Sequence, residues 1–235
     1  MGTNDRVRSK IRLRAVPSHY GLVLALLVGA YVLSAFVYGP IARATVGALY
    51  LVALVVAVRA SRPGRRLRMF VRIVVIAGAV VLVVAPLVLS KEATNGVTDV
   101  VLAIVLASAV VCILDRILTE HDVTVQLIGG ALSAYLMVGM FFASVFGVMD
   151  WLQSDEFFAS GERATAESLQ YFSFVTLTTL GYGDLTSVSS SGRALSALEA
   201  LVGQVFLATL IARLVGSFRR PVPATPDPEA GEDPT

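Results

Sequence analysis

The chain has one cysteine and two histidines among its 235 residues, a single tryptophan, and charge on only 15% of its positions. Each shortage excludes something. One thiol, Cys112, rules out an intrachain disulfide, and its place inside an apolar run makes it a small hydrophobic filler. The two histidines stand far apart in sequence, and there is no phosphate-binding loop and no nucleophile–base set, so no catalytic constellation is visible and no enzyme is expected. Scarce charge excludes an ordinary soluble domain, in which about a quarter of residues are charged and about half apolar. Here 56% are hydrophobic and the mean hydropathy is +0.76, as in an integral membrane protein.

What the chain has instead is long hydrophobic runs. Its length leaves room for about six spans of roughly 20 residues and little else. Six segments stand out: Tyr20–Tyr38, Ile41–Val58, Phe70–Leu89, Val97–Leu118, Val123–Met149 and Ala194–Gly216. The fourth is the most interrupted, with only Val100–Leu114 free of charge between Asp99 and Asp115. The first follows a basic start, as a signal peptide would. It is too long for one, however, and no small-residue cleavage site precedes the second segment, so it reads as a retained helix.

Lysine and arginine orient these segments. Arg6, Arg8, Lys10, Arg12 and Arg14 precede the first, and Arg59, Arg62, Arg65, Arg66, Arg68 and Arg72 crowd the link between the second and third. Arg116 closes the fourth, and Arg213, Arg219 and Arg220 close the sixth. The alternate loops hold only Arg43, Lys91, Arg163 and Arg193. Fifteen against four is a strong positive-inside bias. It predicts that both termini are cytoplasmic and that 150–191 faces outside.

Within that outer stretch stands the run Thr176-Leu177-Thr178-Thr179-Leu180-Gly181-Tyr182-Gly183-Asp184. Its two glycines allow backbone conformations in which successive carbonyls point the same way, at a cost that residues bearing a Cβ do not escape. A threonine at the inner end adds a hydroxyl oxygen. Ahead of it, Ala166–Thr178 has the pattern of a short helix capped by Thr165, too short to cross a membrane. Non-helical backbone at membrane depth is tolerated where it is buried in protein or lines water.

The run resembles the selectivity filter of tetrameric potassium channels of the voltage-gated-like superfamily, in particular the bacterial six-segment type with one pore loop. In that family the Thr-X-Gly-Tyr-Gly carbonyls replace the hydration shell of the ion. The resemblance extends to Gly192-Arg193, placed like the pair that opens the inner helix in some relatives, and to Gly203, placed like their hinge glycine. It covers 123–216; the first four segments resemble the family only in number and orientation. It implies an all-α membrane fold of six transmembrane helices with a re-entrant pore helix and filter, closing as a homotetramer. The divisions expected are a basic cytoplasmic arm (1–19), a four-helix bundle (20–118), a pore domain (119–218) and a tail (219–235). That tail is rich in proline and acid and is expected to be disordered.

The resemblance assigns K+ binding to Thr179, Leu180, Gly181 and Tyr182, with Gly183 completing the filter. K+ is then the permeant ion, and no cofactor is expected. Tyr171, Phe172, Val175, Thr176, Thr178 and Asp184 support the filter. Leu180 replaces the usual valine; since that position gives a carbonyl, selectivity is expected to survive. Tyr171 and Phe172 stand where tryptophans often brace the filter, and Phe172 brings no donor. Val175 replaces a glutamate that pairs with the following aspartate in some relatives, so Asp184 lacks that partner. Glu199 lies about two turns into the last segment. Intramembrane carboxylates default to a functional reading, here a protonated or hydrogen-bonded group behind the filter. The plainer alternative is a structural hydrogen bond to the pore helix or a neighbouring subunit, with Gln204 nearby. His121 reads as a linker residue or, alternatively, a pH sensor.

In voltage-gated relatives the fourth segment carries arginine at every third position; here it has none before Arg116. Steep voltage gating is therefore not expected. The fifteen residues 221–235 leave no space for a nucleotide- or calcium-binding domain. Expected partners are three further copies of the chain and membrane lipid, anionic at the cytoplasmic face, with no nucleic acid. The competing readings are a weakly selective cation channel and a non-conducting membrane sensor or scaffold.

Overall fold

The computed structural model describes residues 19–36, 40–61, 64–119 and 125–218. Residues 1–18 of the basic arm, His121, and the whole of the tail 219–235 lie outside the described residues. Among the described residues the seven elements are all helices: α1 (His19–Phe36), α2 (Pro40–Ser61), α3 (Arg65–Val88), α4 (Lys91–Thr119), α5 (Val125–Leu152), α6 (Ala166–Leu177) and α7 (Ser190–Phe218). The apolar runs become helices because a backbone in hydrocarbon must satisfy its hydrogen bonds within the segment. Among the described residues, four stretches are long and apolar enough to cross a membrane: Arg65–Val88, Lys91–Thr119, Gln126–Leu152 and Ser190–Arg213. Those in α1 and α2, Tyr20–Ser34 and Thr45–Ser61, are apolar but shorter.

The fourth helix starts at Lys91, six residues before the expected boundary, and takes Lys91, Glu92 and Asp99 into its first turns. Hydropathy alone misses this because the start is polar. Ser90 precedes its first residue, and the Ser90 Oγ accepts a hydrogen bond from the Ala93 amide (3.3 Å). The buried Thr98 answers its own polarity by donating to the Thr94 carbonyl (2.6 Å). Pro86 falls inside α3 and removes an amide donor from that helix.

Two apolar cores organise the molecule. The larger joins α1, α2, α4 and α5 around Leu27, Leu54, Leu106, Ile113 and Met137. The smaller surrounds α6 and contains Phe142, Phe146, Phe157, Phe158, Phe172 and Leu177. α5 belongs to both, so it couples the four-helix unit to the unit that carries the signature run. Ile73, Ile76, Val80, Val83 and Leu87 of α3 stay exposed, as does a row along α7 that includes Leu201 and Val205. Apolar surface of this extent faces lipid or further protein.

Candidate functional site

α6 is a helix of 12 residues held at both ends. Thr165 Oγ1 accepts from the Ser168 amide (3.2 Å) and Ser168 Oγ accepts from the Thr165 amide (2.9 Å), a reciprocal capping box. Such a cap contributes about 0.5–2 kcal/mol. The expected cap at Thr165 is present, and the helix ends one residue before the expected Thr178, which becomes its C-cap.

Beyond the C-cap the backbone alternates in handedness. Thr179 (φ 57°), Gly181 (φ 58°) and Gly183 (φ 80°) are left-handed, while Leu180 and Tyr182 between them are not. Glycine adopts that region freely; Thr179 does so at a cost of roughly 1–2 kcal/mol. The amides of this turn point back at α6. Thr179 N–H donates to Thr176 O (2.9 Å), and Leu180 and Gly181 N–H donate to Val175 O (2.9 and 3.3 Å). Among the described residues no backbone amide bonds the carbonyls of Thr179 to Gly183. These residues are exposed in the single chain, Leu180 and Tyr182 by 55% and 67%. The arrangement is an open row of oxygen acceptors, able to coordinate a hard cation once other surfaces close around it.

Five contacts hold the row. At its outer end Tyr171 Oη donates to Asp184 Oδ2 (2.7 Å). That bond holds the Asp184 carboxyl below the usual carboxylate range and pushes the Tyr171 hydroxyl up to about 12. Asp184 therefore has a partner of a kind the Val175 argument did not supply: a hydroxyl in place of a carboxyl. At the inner end Gln204 Nε2 of α7 donates to Thr179 Oγ1 (3.1 Å), so Gln204 braces the threonine rather than pairing with Glu199. Behind the row, the buried Ser173 Oγ lies against both the Gly139 carbonyl of α5 (2.6 Å) and Glu199 Oε1 of α7. Thr178 Oγ1 donates to Phe174 O (2.6 Å) and closes the last turn of α6.

Phe172 replaces polar bracing with packing. Its ring meets Phe146, Phe157 and Phe158 at centroid distances of 5.1, 5.9 and 5.5 Å. Such pairs contribute about 0.5–1.5 kcal/mol each beyond burial. Phe157 and Phe158 come from the loop before α6, which also pairs with the segment after the run: Ala159 N–H donates to Thr186 O (2.8 Å) and Val188 N–H to Phe157 O (3.0 Å). The adjacent Phe157-Phe158 in an otherwise polar loop was the available sequence signal for this wall. Nothing in the sequence singles out Ser173.

Gly203 sits where α7 crosses the end of α6. A Cβ there would overlap the carbonyl oxygen of Leu177, so the two helices meet backbone to side-chain-free backbone. This gives the glycine a packing role whether or not the helix also bends at that point.

A family model described as an ion channel matches residues 130–220. No curated protein and no solved structure matches the chain. The matched segment runs from within α5 to just past α7 and so contains α6, the alternating turn and every brace described above. Sequence similarity and helical architecture together support an ion-channel domain in a multi-pass membrane protein.

Proposed function

We propose that the protein is a potassium-selective channel that conducts passively through four copies of the 179–183 carbonyl row. The observation that carries this is the alternating turn. The amides of Thr179, Leu180 and Gly181 are spent on α6, and the carbonyls of the five successive residues 179–183 accept from no backbone amide among the described residues. Rings of carbonyls suit a large monovalent cation, because they replace its water without a full counter-charge. One chain supplies only one side of such a ring, and the exposed apolar residues of α7 offer the surface on which further copies close it. In this reading α1 and α2 also cross the membrane, making six spans, with both termini cytoplasmic and the carbonyl row opening outward. Anionic lipid meets the arginines of the α2–α3 link.

Single-channel recording of the purified protein in a planar bilayer tests the proposal. Gly181→Ala and Gly183→Ala place a Cβ on left-handed backbone at a cost of roughly 1–2 kcal/mol per subunit. Both are expected to lose potassium current or selectivity while remaining in the membrane. Unchanged selectivity in both variants would remove the filter assignment. A second reading, a weakly selective cation channel, is favoured by Leu180 and by the donorless Phe172.

A further inference from the structure

Glu199 is fully buried, at 0% exposure, between α5, α6 and α7. Its Oε1 touches Ser173 Oγ, and its Oε2 has no hydrogen-bond partner. The same Ser173 oxygen lies 2.6 Å from the Gly139 carbonyl oxygen. Two oxygen–oxygen contacts at hydrogen-bonding distance need two protons, and a serine hydroxyl brings one. The Gly139 carbonyl can only accept, so the second proton must come from the carboxyl. An ionised Glu199 would also leave a charged oxygen buried with nothing to solvate it, a cost a neutral acid avoids.

We infer that Glu199 is a neutral carboxylic acid that donates its proton to Ser173, which donates its own to Gly139, tying the inner helix through the pore helix to the outer helix. Glu199 is thus a positioning residue. It touches neither the carbonyl row nor the ion, and it fixes α7 against the helix from which the row hangs. Ionisation undoes the arrangement. The carboxylate takes the Ser173 proton as acceptor, the contact with Gly139 loses its proton, and a negative charge appears at a fully buried position.

The titratable groups on the three helices are Tyr135 and Asp150 on α5, Glu167 and Tyr171 on α6, and Arg193 and Arg213 on α7. Of these, Tyr135 interacts electrostatically with Glu199 and directs its hydroxyl to Leu177 O (3.4 Å), while Tyr171 is engaged by Asp184. Alkali can therefore reach this layer through Glu199 or through Tyr135, and a variant that removes only the first distinguishes them.

Infrared difference spectra of the full chain in lipid bilayers read the proton directly. At neutral pH the parent minus Glu199→Gln spectrum should contain the carbonyl stretch of a protonated carboxyl. In Ser173→Ala that stretch should move to higher frequency as its acceptor is lost. A carboxylate band in its place, or an unmoved band in Ser173→Ala, overturns the proton assignment. The consequence for current rests on the channel reading. Potassium current of the parent should fall reversibly at alkaline pH, and Glu199→Gln, whose amide donates to Ser173 but cannot ionise there, should lose that dependence. Equal alkaline loss in both proteins would assign the effect to Tyr135 and remove the switch. Absence of any current would refute the channel reading and leave the infrared result to decide the proton.

Discussion

Asp184 and Tyr171 give the Asp184 end of the carbonyl row a bond whose working range follows from its two titrations. Asp184 is held below the ordinary carboxylate value of about 3.9, so its contribution is present above that value and lost as pH falls through the lowered one. Tyr171 is raised from 10.0 to about 12, so its contribution is present below 10.0 and lost as pH rises through about 12. The pair is intact across the neutral range. Tyr171→Phe removes the donor, and the Asp184 carboxyl, followed by nuclear magnetic resonance, should then titrate at a higher pH than in the parent. An unmoved midpoint would mean the hydroxyl does not hold the carboxylate. Thr179 poses the converse case of a side chain kept in left-handed backbone at a cost. Its hydroxyl accepts from Gln204, so the residue joins the backbone row to α7 in a way glycine could not.

Among the elements, α4 and α7 make the sharpest demands. α4 carries no basic residue between Lys91 and Arg116. Each elementary charge crossing the field is worth about 2.3 kcal/mol per 100 mV, and steep gating needs several per subunit. Conductance–voltage curves should therefore be shallow, and an apparent gating charge of several elementary charges per channel would contradict this. For α7, Gly203→Ala inserts a methyl group against the Leu177 backbone, and overpacking of this kind costs about 1–3 kcal/mol. Its thermal unfolding temperature should drop, with lower open probability if the helix also bends there. Equal unfolding temperatures would show that α7 can shift aside without loss.

The helices themselves were legible because hydrocarbon imposes one solution on an apolar run, and the α6 boundary was legible because Thr165 is a strong cap. The early start of α4 was not, since its first turns are polar and satisfy themselves locally. The site divides in the same way. The glycines announce left-handed backbone, but Thr179 does not, because threonine takes that conformation only where α6 and Gln204 hold it. The Glu199 environment was half legible: a carboxyl in an apolar helix demands a partner, yet which partner depends on how α6 and α7 cross. Gln204, five residues further along α7, is committed to Thr179.

At the scale of the whole molecule, a single chain presents its most reactive backbone outward and leaves the apolar face of α7 uncovered. The four-copy assembly of the proposed channel accounts for both. Native mass spectrometry of the protein in detergent should give a species of four 24.9 kDa chains, and a monomer alone would leave the carbonyl row without opposing members. α5 shares both cores, so a change in the four-helix unit has a packed route to the braces around 179–183. In the proposed channel this unit serves as a scaffold, and its α4 carries no basic residue between Lys91 and Arg116 to move. The central claim is that the carbonyl row selects potassium. Its most direct test is the reversal potential of reconstituted channels separating potassium on one side from sodium on the other. The account predicts a reversal potential close to the potassium equilibrium value; a reversal near zero would contradict it.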